Sequence, residues 1–166
     1  MWSTLSSMAT PYTIIRSTTV DASPDSVRAQ ITDFRRWVDW SPWEGLDPDL
    51  QRTYSGPAQG LGATYAWSGN RKAGAGRMEI TGVAPDRIDV DLRFLKPFRS
   101  SSTVRFALTG AGDQTRVQWQ LRSPRTVVSR VMGVVWNMDR AIGADLEKGL
   151  AQLKDRVESA PERPQP

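Results

Sequence analysis

The chain has 166 residues, with 22 Lys and Arg against 18 Asp and Glu, a formal charge of +4, and neither cysteine nor histidine. Its length fits one domain with a real core, and the missing residue types exclude disulfides, thiolate chemistry, a Ser-His-Asp triad, a Cys-His pair and the usual nitrogen- or sulfur-ligated zinc sites. The positive residues are scattered rather than clustered beside stacking aromatics, which argues against a nucleic-acid face, and no run of about 18 apolar residues offers a membrane span.

Met1 to Pro11 has no positively charged start and no long apolar core, so it is expected to be a disordered or extended tail rather than a secretory signal, with Met8 as an alternative start. Tyr12 to Val20 is rich in β-branched residues and reads as a first strand. Ser23-Pro24 is a helix-start signal, with Ser23 as N-cap and Asp25 near the positive helix end. A short helix follows with Val27 and Ile31 on one face, and a second helical piece covers Asp33 to Val38. Trp37, Trp40 and Trp43 come next, three apart, in a stretch closed by Pro42 and Pro48. One or two of these rings are expected to seal the core beneath the helix pair, and at least one to line or lid a cavity opening, where an apolar body with one N–H donor suits a ligand.

From Leu50 the pattern has period two. Leu50 to Tyr54 is a short strand; Ala63, Tyr65 and Trp67 alternate with Thr64, Ala66 and Ser68. Met78 and Ile80 oppose Arg77, Glu79 and Thr81; Ile88, Val90, Leu92 and Phe94 oppose Asp89, Asp91 and Arg93. Val104, Phe106 and Leu108 are followed by Val117, Trp119 and Leu121, with a hairpin turn at Gly110-Ala111-Gly112-Asp113. Such alternation predicts an antiparallel sheet with one wet and one covered face, its strands joined in sequence by hairpins. Large inward residues (Trp67, Phe94, Phe106, Trp119) are mixed with small ones (Ala63, Gly74, Gly76, Gly82).

Ser123-Pro124 repeats the cap signal and predicts a helix to Glu158, roughly 45 Å long at about 1.5 Å per residue. Val127, Val131, Val135, Met138, Ile142, Leu146, Leu153 and Val157 form one stripe on it. Gly143 and Gly149 interrupt the run; they reflect close packing on the sheet, space for a ligand, or both. Ser159 to Pro166, with three prolines and no apolar anchor, is expected to be a disordered tail. The whole predicts an α+β domain over residues 12–158: about seven antiparallel strands, curved around a long C-terminal helix, with two short helices closing the gap after the first strand.

The motifs Trp40-Ser41-Pro42-Trp43-Glu44-x-Leu46-Asp47-Pro48, Arg52-Thr53-Tyr54-Ser55-Gly56-Pro57, Tyr65-x-Trp67-x-Gly69-Asn70, Gly76-Arg77-Met78-x-Ile80-Thr81, Phe94-Leu95-Lys96-Pro97-Phe98, Asn137-Met138-Asp139 and Leu146-Glu147-Lys148-Gly149-Leu150 resemble the START-like, Bet v 1-like (SRPBCC) superfamily. Within it they are most similar to bacterial proteins labelled polyketide cyclase/dehydrase-like. The resemblance spans about Tyr12 to Val157 and implies a helix-grip fold with a cavity between sheet and helix. The superfamily includes lipid carriers, hormone receptors, allergens, aromatic-ring cyclases and chaperone activators, so the fold by itself does not choose a function.

With histidine and cysteine missing, proton transfer falls to Asp, Glu, Lys, Tyr or water. Glu44 is a candidate at the cavity mouth or a surface carboxylate near a turn. Asp139 lies at the edge of the apolar stripe, facing the cavity or pairing with an arginine. Tyr65 is a candidate hydroxyl donor to a ligand carbonyl or a core tyrosine. Trp40, Trp43, Tyr65, Trp67, Met78, Phe94, Trp119, Val135, Met138 and Ile142 are the expected ligand-lining set. No metal and no cofactor is expected. The first reading is a cytoplasmic module, monomeric or homodimeric, that binds a hydrophobic or aromatic small molecule, lipid- or polyketide-like, without turnover. The second is a polyketide cyclase or dehydratase using Glu44, Asp139 or Tyr65; the third is a chaperone-activator-like interaction module.

Overall fold

The computed structural model describes residues 12–96, 99–123 and 132–159, and side chains within 13–96, 99–123 and 140–159. Seven strands form one antiparallel sheet: β1 (Tyr12–Val20), β2 (Gln51–Ser55), β3 (Thr64–Ser68), β4 (Ala75–Ala84), β5 (Arg87–Lys96), β6 (Ser100–Ala111) and β7 (Gln114–Ser123). The spatial order is β1-β7-β6-β5-β4-β3-β2, so the last six strands form a meander and β1 closes onto β7. Helix α1 (Pro24–Ile31) and a 3-10 helix, Phe34–Asp39, join β1 to β2, and α2 (Met132–Ser159) ends the chain. This is the expected α+β arrangement of a sheet and a long C-terminal helix.

The local signals act as expected at α1. The Ser23 hydroxyl accepts the Ser26 N–H at 3.3 Å and Pro24 opens the first turn. Asp33 caps the 3-10 helix by accepting the Arg35 N–H at 3.0 Å. Ser123 closes the sheet, and residues 124–131, where the start of the long helix was expected, lie outside the described residues. Ser123 is the last residue of β7, paired with Tyr12 of β1, and its hydroxyl bonds that of Ser102 at 2.6 Å. Val127, Val131 and the tails at 1–11 and 160–166 lie outside the described residues; Ser159 belongs to α2.

The inner face of the sheet carries Ile14, Met78, Ile80, Ile88, Val90, Leu92, Val104, Phe106, Leu108, Val117, Trp119 and Leu121, all buried. Two small residues expected on that face are elsewhere. Gly74 occupies a turn with φ of +64°, and a β-bulge after Ile80 sets Gly82 opposite Asp89 of the outer face. At the centre Trp37, Trp40, Phe106 and Trp119 pack as a cluster, with ring centroids 4.5 Å (Trp37–Trp40), 4.9 Å (Phe106–Trp119) and 5.7 Å (Trp40–Trp119) apart. Each such buried side chain contributes about 1.5–3 kcal/mol. Trp37 and Trp40 are anchored by their N–H groups on the carbonyls of Ile31 (2.8 Å) and Gln30 (3.1 Å), which ties the cluster to α1.

Helix α2 applies Leu146, Leu150, Leu153 and Val157 to this core. Its described neighbours are β1, β7, α1 and the 3-10 helix. No helix among the described residues is long and apolar enough to cross a membrane.

Both helix glycines are packing positions. A Cβ on Gly149 would lie 2.8 Å from Pro42 Cδ and 2.8 Å from Trp119 Cζ3, whereas the atoms nearest to one on Gly143 belong to the guanidinium end of Arg16. Glycine to alanine in an exposed helix gains up to about 1 kcal/mol, but overpacking costs ~1–3 kcal/mol. Gly149→Ala is therefore expected to lower the urea midpoint. Gly143→Ala, which displaces a flexible side chain and a surface ion pair worth ~0–1 kcal/mol, is expected to leave the midpoint unchanged or raise it. Equal upward shifts in urea unfolding of the two variants would contradict this account.

Candidate functional site

On the β2–β5 side, the inner face presents rings that the core leaves half covered. Tyr54, Trp67 and Phe94, with Trp43 and Ile142, pack against the core but remain partly exposed. The register explains the row: Tyr54 pairs with Tyr65, Arg52 with Trp67, Trp67 with Gly76, and Gly76 with Phe94. Gly76 has no side chain because the Trp67 indole lies over it. A Cβ there would sit 2.5 Å from Trp67 Cη2. Trp67 reaches across to Phe94, edge to face at 5.7 Å, and its N–H is pinned on the Ala73 carbonyl at 3.0 Å. Tyr65 stacks on Trp67 at 5.9 Å and meets Tyr54 at 5.3 Å. The result is a continuous aromatic wall, Tyr54–Tyr65–Trp67–Phe94.

One end of the wall is polar. Glu44, on the loop after Trp43, keeps only 13% of its side-chain surface exposed. Its Oε2 accepts from Arg52 Nη2 at 2.5 Å, and its Oε1 accepts the Tyr65 hydroxyl at 3.5 Å. Glu44 is thus a largely covered, paired carboxylate rather than a free surface group. Its hydrogen bond to Arg52 holds that guanidinium above its ordinary pKa. Burial, then the Glu44 charge, raises the Tyr65 pKa well above the tyrosine range; burial also raises that of Tyr54. Tyr65 is a neutral hydrogen-bond donor across the physiological range. Arg52 was absent from the candidates, although it shares its strand face with Tyr54 and that parity was readable.

The remaining candidates are distributed as follows. Trp40 is buried in the core at 1% exposure. Trp119 is buried too, touches Trp43 edge to face at 5.8 Å, and its indole N–H has no hydrogen-bond partner among the described residues. Trp43 is half-buried with its N–H on Asp145 Oδ2 at 3.3 Å, linking the loop after the 3-10 helix to α2. Met78 is buried next to Tyr65 in the β3–β4 register, and Ile142 is half-buried on α2. The side chains of Val135, Met138 and Asp139 lie outside those described. Glu79 faces outward at 3.7 Å from Arg77. Among the described residues no group of acidic side chains could hold a metal ion.

A seven-stranded antiparallel sheet, two short helices after β1 and a terminal helix on the inner face define a START-like, SRPBCC protein of helix-grip fold. The chain belongs to the family described as polyketide cyclase/dehydrase and lipid transport, whose model matches residues 13–158. Among solved structures it is similar to CalU16 from Micromonospora echinospora (20% identity, TM-score 0.60, 92% of this chain and 79% of that one). It is also similar to the Aha1 dimer from Colwellia psychrerythraea (19%, 0.62, 89% and 97%). DynU16, a protein of the dynemicin biosynthetic locus, matches at 19% and 0.61 over 89% of this chain, which spans about half (47%) of that protein. At these identities the likeness is one of fold. No curated protein matches the chain in sequence.

The raised Tyr65 and Tyr54 pKa values give a pH dependence. Below the ordinary tyrosine value of 10.0 both phenols are neutral whether the chain is folded or not. Above it the unfolded chain ionises first, so the stability they contribute is lost as pH rises. The urea midpoint should therefore hold up to about pH 9 and fall as the pH rises past about 10, and fall less in Tyr65→Phe. An identical alkaline decline in that variant would contradict the burial of a neutral phenol.

Proposed function

We propose that this protein binds a hydrophobic or aromatic small molecule, lipid- or polyketide-like in character, against the inner face of β3–β5, and that binding alone is its biochemical act. The observation that supports this most is the Tyr54–Tyr65–Trp67–Phe94 wall. Rings of this size normally finish in the core; here Tyr65 does, while Tyr54, Trp67 and Phe94 beside it, held by register, by Gly76 and by a pinned indole N–H, stay partly exposed. A flat apolar surface with a few fixed polar groups at one end is what a ligand site requires.

A second reading has one observation in its favour. The Tyr65 hydroxyl, Glu44 and Arg52 form a connected set beside the wall. In a cyclase or dehydratase, Tyr65 would donate a hydrogen bond to a ligand carbonyl oxygen and Glu44 would exchange a proton, while the wall holds a flexible chain folded. Tyr65→Phe and Glu44→Gln would then abolish product formation while binding persists.

The neutral probe phenylnaphthylamine tests the first reading. Titration is expected to give saturable binding with quenching of tryptophan emission, and Trp67→Ala should weaken it about tenfold, the loss of one aromatic contact and its buried area. Failure of the wild type to saturate would sink the proposal.

A further inference from the structure

The polar end of the wall carries more positive than negative charge. The Arg35 guanidinium lies over the Tyr54 ring, 4.6 Å from its centroid. Arg52, two residues before Tyr54 on the same face of β2, gives one N–H to Glu44 and also acts on the Tyr65 hydroxyl, and its five-donor fork has further N–H groups that no described carboxylate takes. Around them stand Arg36, Asp33 and Glu44. Asp33 is occupied: Oδ1 accepts the Arg35 backbone N–H at 3.0 Å and Oδ2 lies 3.7 Å from Arg36 Nε. Glu44 is taken by Arg52 and Tyr65. Three guanidinium groups thus face two carboxylates, and no carboxylate among the described residues pairs with the Arg35 side chain. Arg52 and Arg35 both act on the Tyr54 hydroxyl, against the effect of its burial.

We propose that the ligand is an amphipathic anion, its acidic group taken by Arg35 and the unengaged edge of Arg52 beside Tyr54, its apolar body lying along Trp67 and Phe94. This rests on the reading of the wall as a binding surface and adds the chemical class of what it binds. Arginine suits the task, since its fork matches a planar or tetrahedral anion and charge-assisted hydrogen bonds are about twice as strong as neutral ones. Glu44 sets the direction. An anion placed on the Glu44 side of Arg52 would meet a like charge, so the acidic group is confined to the Arg35 side.

Two probes with one aromatic skeleton separate this proposal from the one beneath it: anilinonaphthalenesulfonate, an anion, and phenylnaphthylamine, which is neutral. In the wild type the sulfonate is expected to bind about tenfold tighter, the worth of one charge-assisted pair at a partly desolvated site. Arg35→Gln, a substitution at an exposed position, should remove that preference and leave the Kd of the neutral probe unchanged. Equal affinities in the wild type, or a preference that survives Arg35→Gln undiminished, overturn the anion assignment while the binding surface stands. If neither probe saturates, the binding surface falls and the assignment with it.

Discussion

The contact between Trp119 and Gly149 governs where everything else goes. With no side chain at residue 149, α2 approaches β7 until its backbone meets an indole, and Pro42 fills the remaining side. Leu146, Leu150 and Leu153 then enter the core around the same ring. A helix seated here packs on β1, β7 and the two short helices. On the far half of the sheet Tyr54, Trp67 and Phe94 stay only partly covered.

The polar end of that wall follows from the same geometry. The chain must cross from the 3-10 helix to the far edge strand, and the crossing loop brings Glu44 over Arg52 and Tyr65. Once there, a carboxylate with 13% exposure needs partners, and the phenol and the guanidinium supply them. Trp43, one residue earlier, bonds Asp145 of α2. One short segment thus ties the terminal helix to the edge of the sheet.

Much of this was legible in the chain because the strands alternate cleanly. Six stretches of period two, separated by hairpin-length turns, leave few alternatives to a meander, and the apolar helix positions need a sheet to cover them. The three tryptophans were only partly readable: Trp40 was placed with Trp43 in the ligand-lining set, whereas it is buried beside Trp37 and only Trp43 stays partly exposed. Other features were not legible. The bulge after Ile80 reverses the face of Gly82, which period two cannot foresee. Arg52 was hidden by habit: an arginine on the inward parity of a strand is usually discounted, although Tyr54 beside it marked that face as covered. Its partner Glu44 lies in a loop, where no periodicity exists to orient a side chain.

Edge strands are a hazard for any open sheet, since unpaired carbonyls and N–H groups invite a foreign strand. Here β1 has its outer rim occupied from within. Arg16 Nη1 donates to the Ile15 carbonyl at 2.9 Å and Lys154 Nζ, reaching over from α2, donates to the Thr19 carbonyl at 2.8 Å. The opposite rim, β2, is only five residues long and carries an arginine at its second position. Both rims are thus blunted in the way that keeps open sheets from pairing edge to edge.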